Sequence, residues 1–275
     1  MNKIDQYAVV GNPIGHSKSP LIHKMFAQQS NQQLDYVTKL VALDRFAEDV
    51  NSFFADQGCG LNVTVPFKQQ AWDIANQLSD AARLAGAVNT LWIKDGQIQG
   101  DNTDGIGLVR DLISNNGYQL ADKKILILGA GGAVRGVLQP IIAERPSSIT
   151  IANRTLSKAL ELATIFSDIY TLNCCEYQQL EGHYDLIING TSASLNNELP
   201  PIPDGLVSTG SYLYDMMYGS QVTVFNQWGK DLGAKKCIDG LGMLVEQAAE
   251  SFRLWRGVKP DTAQVITRLR DELQK

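Results

Sequence analysis

Along this chain, short continuous aliphatic runs alternate with stretches whose apolar positions recur at helical spacing. The plainest run is Ile125-Leu126-Ile127-Leu128. Four successive aliphatic residues predict a strand buried on both faces, as in the middle of a parallel sheet. The same pattern predicts strands at residues 7–10, 34–40, 61–65, 148–152, 185–189 and 211–215. Ser19 as N-cap, with Pro20 at the first helical position, predicts a helix through Phe26. Asp44 predicts a capped helix through Phe54, and Pro66-Phe67-Lys68 ends a strand and starts a helix towards Leu78. Further helices are predicted at 105–113, from Gly132 onward, and at 156–166, 243–255 and 261–273. Residues 87–92 and 97–98 flank Asp95-Gly96 and predict a hairpin. Strands alternating with helices imply an α/β protein with a mainly parallel sheet covered on both faces. The stretch 190–208, rich in Asn, Pro and Ser, is expected to be a lid or a surface excursion.

The 125–128 run leads directly into a glycine-rich turn. Gly129-Ala130-Gly131-Gly132-Ala133 lets the backbone turn sharply, and Ala133, Val137, Leu138, Ile141 and Ile142 then have helical spacing. A strand, a glycine turn and a helix N-terminus form an anion site, with free N–H groups and the positive dipole end facing a phosphate. The fit to the dinucleotide fingerprint is loose, because Val134 stands at its third glycine position. At the end of the next strand, where NAD enzymes carry a carboxylate for the ribose, this chain has Asn153-Arg154-Thr155. Arg154 is either an ordinary solvated residue before the next helix or the partner of a phosphate, for which its planar donor fork is suited. At this spacing we read it as a ligand of the 2′-phosphate of NADP.

Bulk composition narrows the setting. The 275 residues suit two domains of ordinary size or one large one. A hydrophobic fraction of 44%, a charged fraction of 19% and a net charge of −5 describe a globular protein with no affinity for nucleic acid or anionic membranes. No signal peptide and no membrane span are expected. Cys59, Cys174, Cys175 and Cys237 lack framework spacing and read as thiols in a reducing cytoplasm. His16, His23 and His183 are scattered, so no metal site is expected.

A nicotinamide enzyme also needs a proton donor or acceptor at the reacting carbon. Lys68 follows Asn62-Val63-Thr64-Val65-Pro66-Phe67 at a strand end, where ligands of such sheets sit. Asp104, in Asp101-Asn102-Thr103-Asp104-Gly105, could orient that lysine or could simply cap the next helix. Gly11-Asn12-Pro13-Ile14-Gly15-His16-Ser17-Lys18-Ser19-Pro20 offers hydroxyl and N–H donors to a carboxylate.

These stretches, together with Gly86-Ala87-Val88-Asn89-Thr90, Tyr214-Asp215-Met216-Met217-Tyr218 and Asp239-Gly240-Leu241-Gly242-Met243-Leu244-Val245-Glu246-Gln247-Ala248-Ala249, resemble the signatures of the shikimate dehydrogenase family. They occur in the family's order along essentially the whole chain. The resemblance implies NADP-linked, reversible reduction of 3-dehydroshikimate to shikimate on the route to chorismate and the aromatic amino acids. It implies a substrate domain at 1–103 with the helices of 241–275 packed back on it, a Rossmann-type NADP domain at 104–240, and an active site in the cleft between them. Lys68 would be the acid/base, with Asp104 beside it. Ser17 and Ser19, assisted by Tyr218, would hold the substrate carboxylate, and Thr64, Asn89, Asp104 and Gln247 would hold the ring hydroxyls. Gly129, Ala130, Gly131, Gly132, Ala133, Asn153, Arg154 and Thr155 would hold the cofactor phosphates. Met216 and Gly240 would line the nicotinamide pocket, and Asp80 matches an acidic position credited with cofactor contact. The expected partner is the small-molecule substrate, in a monomer or a homodimer. Two positions depart from the family pattern: Gly190 stands where alanine is usual, and Gly219 where Asn or Gln is usual. The nearest rivals are an NAD-linked quinate/shikimate dehydrogenase, which would carry an acidic residue at position 154, and a non-catalytic NADP-sensing paralogue, which would not need both Lys68 and Asp104.

Overall fold

The computed structural model describes residues 4–275, which form two compact units. The first runs to Gly107 and takes in Val245–Thr267; the second comprises Leu108–Leu244 and Arg268–Lys275. The first unit contains β1 (Asp5–Gly11), α1 (Ser19–Gln29), β2 (Leu34–Leu40), α2 (Phe46–Ala55), β3 (Gly58–Val63), α3 (Lys68–Ile74), β4 (Gln77–Leu78), α4 (Asp80–Ala85), β5 (Thr90–Lys94) and β6 (Gln97–Asp101). Its sheet has the order β2-β1-β3-β5-β6-β4. β1 pairs in parallel with both β2 and β3, since helices carry the chain back between them, whereas β3, β5 and β6 are antiparallel. The expected parallel sheet is therefore mixed here. The cause is the Asp95-Gly96 turn, whose φ values of 52° and 72° fold the chain straight back on itself.

Three local expectations need correction. Ser19 is the first residue of α1 rather than its cap, and Ser17 Oγ accepts the Ser19 N–H at 3.3 Å. Asp44 caps nothing: α2 starts after Arg45 with no side-chain cap. The helix expected to reach Leu78 stops at Ile74, because Asn76 exchanges hydrogen bonds with Ile98 of β6 and draws Gln77–Leu78 into the sheet.

α5 (Asp104–Arg110) runs into a single π turn, Asp111–Asn115, and leads to the second unit. There β7 (Lys124–Leu128), α6 (Gly132–Ala143), β8 (Ser148–Ala152), α7 (Leu156–Phe166), β9 (Asn173–Cys175), β10 (Leu186–Asn189), β11 (Tyr212–Asp215), α8 (Val224–Asp231) and β12 (Lys236–Asp239) follow in turn. α9 (Leu241–Arg256) and α10 (Ala263–Leu273) come last. All strand pairs of this sheet are parallel, in the order β12-β11-β10-β7-β8-β9. That is the doubly wound dinucleotide order, with its switch point between β7 and β10. Ile125 to Leu128 are fully buried, as four successive aliphatic residues require.

Val134 at the third glycine position has a steric explanation. A glycine there normally lets the helix pack close to the sheet. Here the missing Cβ is on the strand side. A Cβ on Gly190 would collide with Val134 Cγ2 and stand 3.2 Å from Met216 Sδ. The departure at Gly190 and the departure at Val134 are thus two halves of one packing solution. The stretch 190–208 is packed down: Ile202, Leu206 and Val207 enter a core cluster with Tyr177 and Phe225, and Ser194 Oγ donates to Asp215 Oδ2 at 2.7 Å.

In the first unit one sheet face packs on Phe46, Phe53 and Phe67, with Phe46 and Phe67 stacked at 4.9 Å. An aromatic cage encloses His23, which stacks on Tyr36 at 4.1 Å and meets Phe26, Phe252 and Trp255. Neither ring nitrogen of His23 makes a hydrogen bond. Burial drives its pKa from 6.5 down to about 3, which the neighbouring Asn62 offsets only in part.

Both packings can be tested by denaturation. Overpacking a filled core costs about 1–3 kcal/mol, so Gly190→Ala should lower the urea midpoint of the full chain, and adding Val134→Ala should restore it. Additive losses in the double variant would break the compensation between the two positions. For His23, the folded chain stays unprotonated where the unfolded chain binds a proton, so stability is present above pH 6.5 and is lost as pH falls towards 3. The slope attributable to one such group is at most about 1.4 kcal/mol per pH unit. His23→Phe should flatten the fall in urea midpoint between pH 6.5 and about 3, the window between the unfolded and folded pKa values.

Candidate active site

Lys68 opens α3 directly after the strand end of β3, and Asp104 opens α5 just beyond β6. Lys68 Nζ donates to Asp104 Oδ2 at 2.5 Å, with the lysine 30% and the carboxylate 15% exposed. Partial burial strengthens such a pair relative to an exposed one while leaving it accessible to a ligand. Asn89 Nδ2 donates to Asp104 Oδ1 at 2.9 Å and lies 3.4 Å from Gln247 Oε1 of α9. The backbone N–H of Thr103 donates to Asn89 Oδ1 at 2.9 Å, which fixes the amide with its nitrogen towards Asp104. A donor-rich lysine, an ionisable carboxylate and two carboxamides therefore converge in the first unit. Such a set can bind vicinal hydroxyls and move a proton.

Ser17 lies in the loop after β1 and Ser19 opens α1 at its end; that loop is tied to the loop after β3 by Asn12 N donating to Val65 O at 3.1 Å. Ser19 is buried, and its hydroxyl contacts the Tyr36 phenol. Thr64 sits on the second of these loops, its N–H donating to Val10 O at 3.0 Å. Asp80 opens α4 as an exposed first-turn carboxylate paired with Arg83 at 2.7 Å. That pairing accounts for Asp80 without a ligand.

In the second unit the glycine turn fits a dinucleotide phosphate. Gly129 has φ +101°, which a side chain would strain, and its N–H is anchored on Ala152 O at 2.8 Å. The α6 N-terminus has no side-chain cap, and Cβ atoms built on Gly131 and Gly132 would meet nothing within 4 Å. The orphan N–H groups of the first turn thus face open space. Beside it in register, β8 ends at Ala152 opposite Leu128, and Asn153 Nδ2 donates to Thr155 O at 2.8 Å. Arg154 and Thr155 are exposed, as partners for a ribose phosphate must be.

Met216 follows β11, and Gly240 N donates to Met217 O at 3.1 Å. A Cβ on Gly240 would collide with the Met216 backbone, so glycine is needed at this close approach. The phenol of Tyr218 is pushed above its ordinary pKa by burial, with Asp239 adding to the effect. Asp239 is gripped by both terminal nitrogens of Arg270 at 2.5 and 2.7 Å. Gly219 meets only ordinary contacts, and nothing in its surroundings explains why Asn or Gln is absent there.

Sequence reasoning misses the residues behind the site. Asn62, Thr90, Thr103 and Ser251 are buried and mutually hydrogen-bonded beneath Asn89. Ser251 stands one helical turn after Gln247, a spacing that could have flagged it. Asp215 reads from sequence only as part of a strand, yet it is fully buried and organises Asn189, Ser194 and the Met217 N–H. Burial raises its pKa against these hydrogen bonds. No group of His, Cys, Asp and Glu among the described residues could hold a metal ion, and no helix among them is long and apolar enough to cross a membrane.

Comparison with known proteins agrees with this geometry. The profile of the shikimate dehydrogenase substrate binding domain matches residues 9–91, that of shikimate/quinate 5-dehydrogenase matches 111–197, and that of the shikimate 5′-dehydrogenase C-terminal domain matches 240–270. The shikimate dehydrogenase (NADP(+)) of Hahella chejuensis is 57% identical over 97% of this chain and 99% of its own. An Ael1 enzyme from Pseudomonas putida superposes with a TM-score of 0.93 at 47% identity, over 96% of this chain and 98% of that one. The Thermus thermophilus shikimate 5-dehydrogenase, solved with NADP(H) and shikimate, does so with a TM-score of 0.88 at 29% identity, over 98% and 100%. Likeness of this extent, running through both units, makes the chain a member of the shikimate dehydrogenase family.

Proposed function

We propose that this protein is an NADP-dependent oxidoreductase that interconverts shikimate and 3-dehydroshikimate, a step towards chorismate and the aromatic amino acids. The observation that carries the reading is the 2.5 Å Lys68–Asp104 pair, set among the hydroxyl-binding amides Asn89 and Gln247. Bound NADP supplies the hydride exchange at the ring carbon. Lys68 Nζ gives a proton to the ring carbonyl oxygen as it is reduced and, as the neutral amine, takes one from the ring hydroxyl as it is oxidised. Asp104 holds Nζ in line and accepts from a neighbouring hydroxyl. Asn89, Gln247 and Thr64 orient the ring, and Ser17, Ser19 and Tyr218 hold its carboxylate. The turn from Gly129 to Ala133 carries the pyrophosphate, and Asn153, Arg154 and Thr155 carry the 2′-phosphate. Met216 and Gly240 shape the nicotinamide pocket. In this reading the substrate side belongs to residues 1–103 with the 241–275 helices, and the cofactor side to 104–240. All four cysteines are free, which supports a reducing cytoplasmic setting.

Shikimate-dependent formation of NADPH tests the reading directly. General acid/base groups contribute about 10²–10⁴-fold in rate, so Lys68→Ala should lower kcat by that factor while shikimate affinity barely changes. Turnover within about threefold of wild type would remove Lys68 from the mechanism. Asp104→Asn keeps the size of the side chain in the first turn of α5, so it should fold normally and lose most of its activity; full activity would remove Asp104 from the mechanism. Arg154→Ala should weaken NADP by about ten- to a hundredfold, the value of a hydrogen bond to a charged group, and leave NAD almost unaffected. Arg154→Asp should go further by repelling the phosphate. Equal losses for both cofactors would assign Arg154 to the fold or the shared pyrophosphate.

A further inference from the structure

A continuous hydrogen-bond path runs through the first unit from the Tyr36 phenol, beside Ser19, to Lys68. Ser19 contacts the Tyr36 phenol, and the Tyr36 hydroxyl donates to Asn62 Oδ1 at 2.7 Å. Asn62 Nδ2 donates to Ser251 Oγ at 2.9 Å and to Thr90 Oγ1 at 3.2 Å, and the two hydroxyl oxygens are 2.8 Å apart. Thr90 Oγ1 donates to Asn89 Oδ1 at 2.9 Å, Asn89 Nδ2 donates to Asp104 Oδ1 at 2.9 Å, and Asp104 receives Lys68 Nζ at 2.5 Å.

Two fixed points set the direction of this path. Asn62 Nδ2 also faces the backbone carbonyl of Asn89 at 3.2 Å, and a carbonyl can only accept. Asn89 Oδ1 faces the backbone N–H of Thr103 at 2.9 Å, and an N–H can only donate. Both carboxamides are thereby locked, so the Tyr36 hydroxyl is left to donate to Asn62 and the Thr90 hydroxyl to Asn89. Tyr36, Asn62, Thr90 and Asn89 then donate in turn towards Asp104, while Ser251 Oγ accepts from Asn62 and faces the Gln247 carbonyl at 3.1 Å and Thr90 Oγ1 at 2.8 Å. Ser251 is fully buried on α9 and, through Asn62 and Thr90, joins α9 to β3 and β5 at the centre of the path.

We propose that Ser251, with Tyr36, Asn62 and Thr90, is a positioning relay that holds Asn89 and Asp104 in line for Lys68 and couples them to the Ser19 end of the substrate cradle. The proposal rests on the reading of Lys68 as the acid/base. Ser251 touches neither substrate nor cofactor in this scheme, so it acts only through Asn89, Asp104 and Lys68.

The test is a kinetic cycle in the full-length enzyme. Ser251→Ala should lower kcat about tenfold, the value of one well-placed hydrogen bond, with the KM for NADP unchanged. Shikimate affinity of the cofactor-free protein, measured by calorimetry, should stay within about threefold, since a positioning loss acts on turnover more than on binding. Ser251→Thr, which returns the hydroxyl, should recover most of the rate. In the Lys68→Ala background Ser251→Ala should cost nothing further, because residues acting as one unit are not additive. Tyr36→Phe keeps the ring stack and removes only the terminal hydroxyl, so it carries the same test if Ser251→Ala fails to fold. Its kcat should fall while shikimate binding in the cofactor-free protein stays within about threefold, and wild-type kcat in this variant overturns the relay. Wild-type kcat in Ser251→Ala, or a full additional loss on top of Lys68→Ala, overturns the relay alone. A wild-type protein without shikimate-dependent NADPH formation, or Lys68→Ala with full turnover, overturns the underlying reading and the relay with it.

Discussion

The first unit depends on burying two carboxamides, Asn62 and Asn89, where β3 meets β5. An unpaired amide in that position would cost several times what a satisfied one contributes, so the neighbours are chosen to complete both. Asn62 finds Tyr36, Thr90 and Ser251, and Asn89 finds Thr103 and Asp104. The antiparallel β3–β5–β6 arrangement is what brings these residues together. It sets Asn62 opposite Thr90 and Thr90 opposite Asp101 in register. A polar network inside a sheet can thus be rigid without a charged pair at its centre, and the Lys68–Asp104 pair lies at its open end.

The second unit solves a different problem, that of packing backbone segments closely at the ends of its strands. Its parallel sheet ends all point one way, and the switch between β7 and β10 opens the crevice where the glycine turn sits. Glycine lets protein segments meet closely at Gly129 and Gly240 and in the exchange between Val134 and Gly190, and leaves open space at Gly131 and Gly132. Asp215 and the Arg270–Asp239 pair then fix the segments after β11 and β12 that carry Met216, Tyr218 and Gly240. Here the buried Asp215 and the partly buried Asp239 serve as anchors for backbone N–H groups, Asp239 accepting the Leu241 N–H at the start of α9.

The alternation of aliphatic runs and helical spacings is enough to place most strands and helices, because β7, β8, β10 and β11 are buried on both faces and leave few polar positions to blur the pattern. The glycine turn, Arg154 and the pairing of Lys68 with Asp104 are also legible, since each depends on residue type at a strand end. Short or edge elements are not. β4, β9 and β12 have few residues and partly exposed patterns, so nothing local distinguishes them from loop. Their pairing is supplied by the neighbouring strand. Capping at Ser19 and Asp44 escapes the sequence for a related reason: which side chain meets a free N–H is decided within one residue, by the path of the preceding loop.

Sequence by itself determined the α/β class, the glycine turn between β7 and α6 and the functional groups present at positions 68, 104 and 154. Those follow from local stereochemistry and from the functional groups themselves. Tertiary structure alone decided that Ser251, Thr90 and Tyr36 stand behind Lys68, that Gly190 makes room for Val134, and that His23 is sealed unprotonated among aromatic rings. Each of these is a contact between residues far apart in the chain. Its energy comes from mutual burial, which no single stretch of sequence contains.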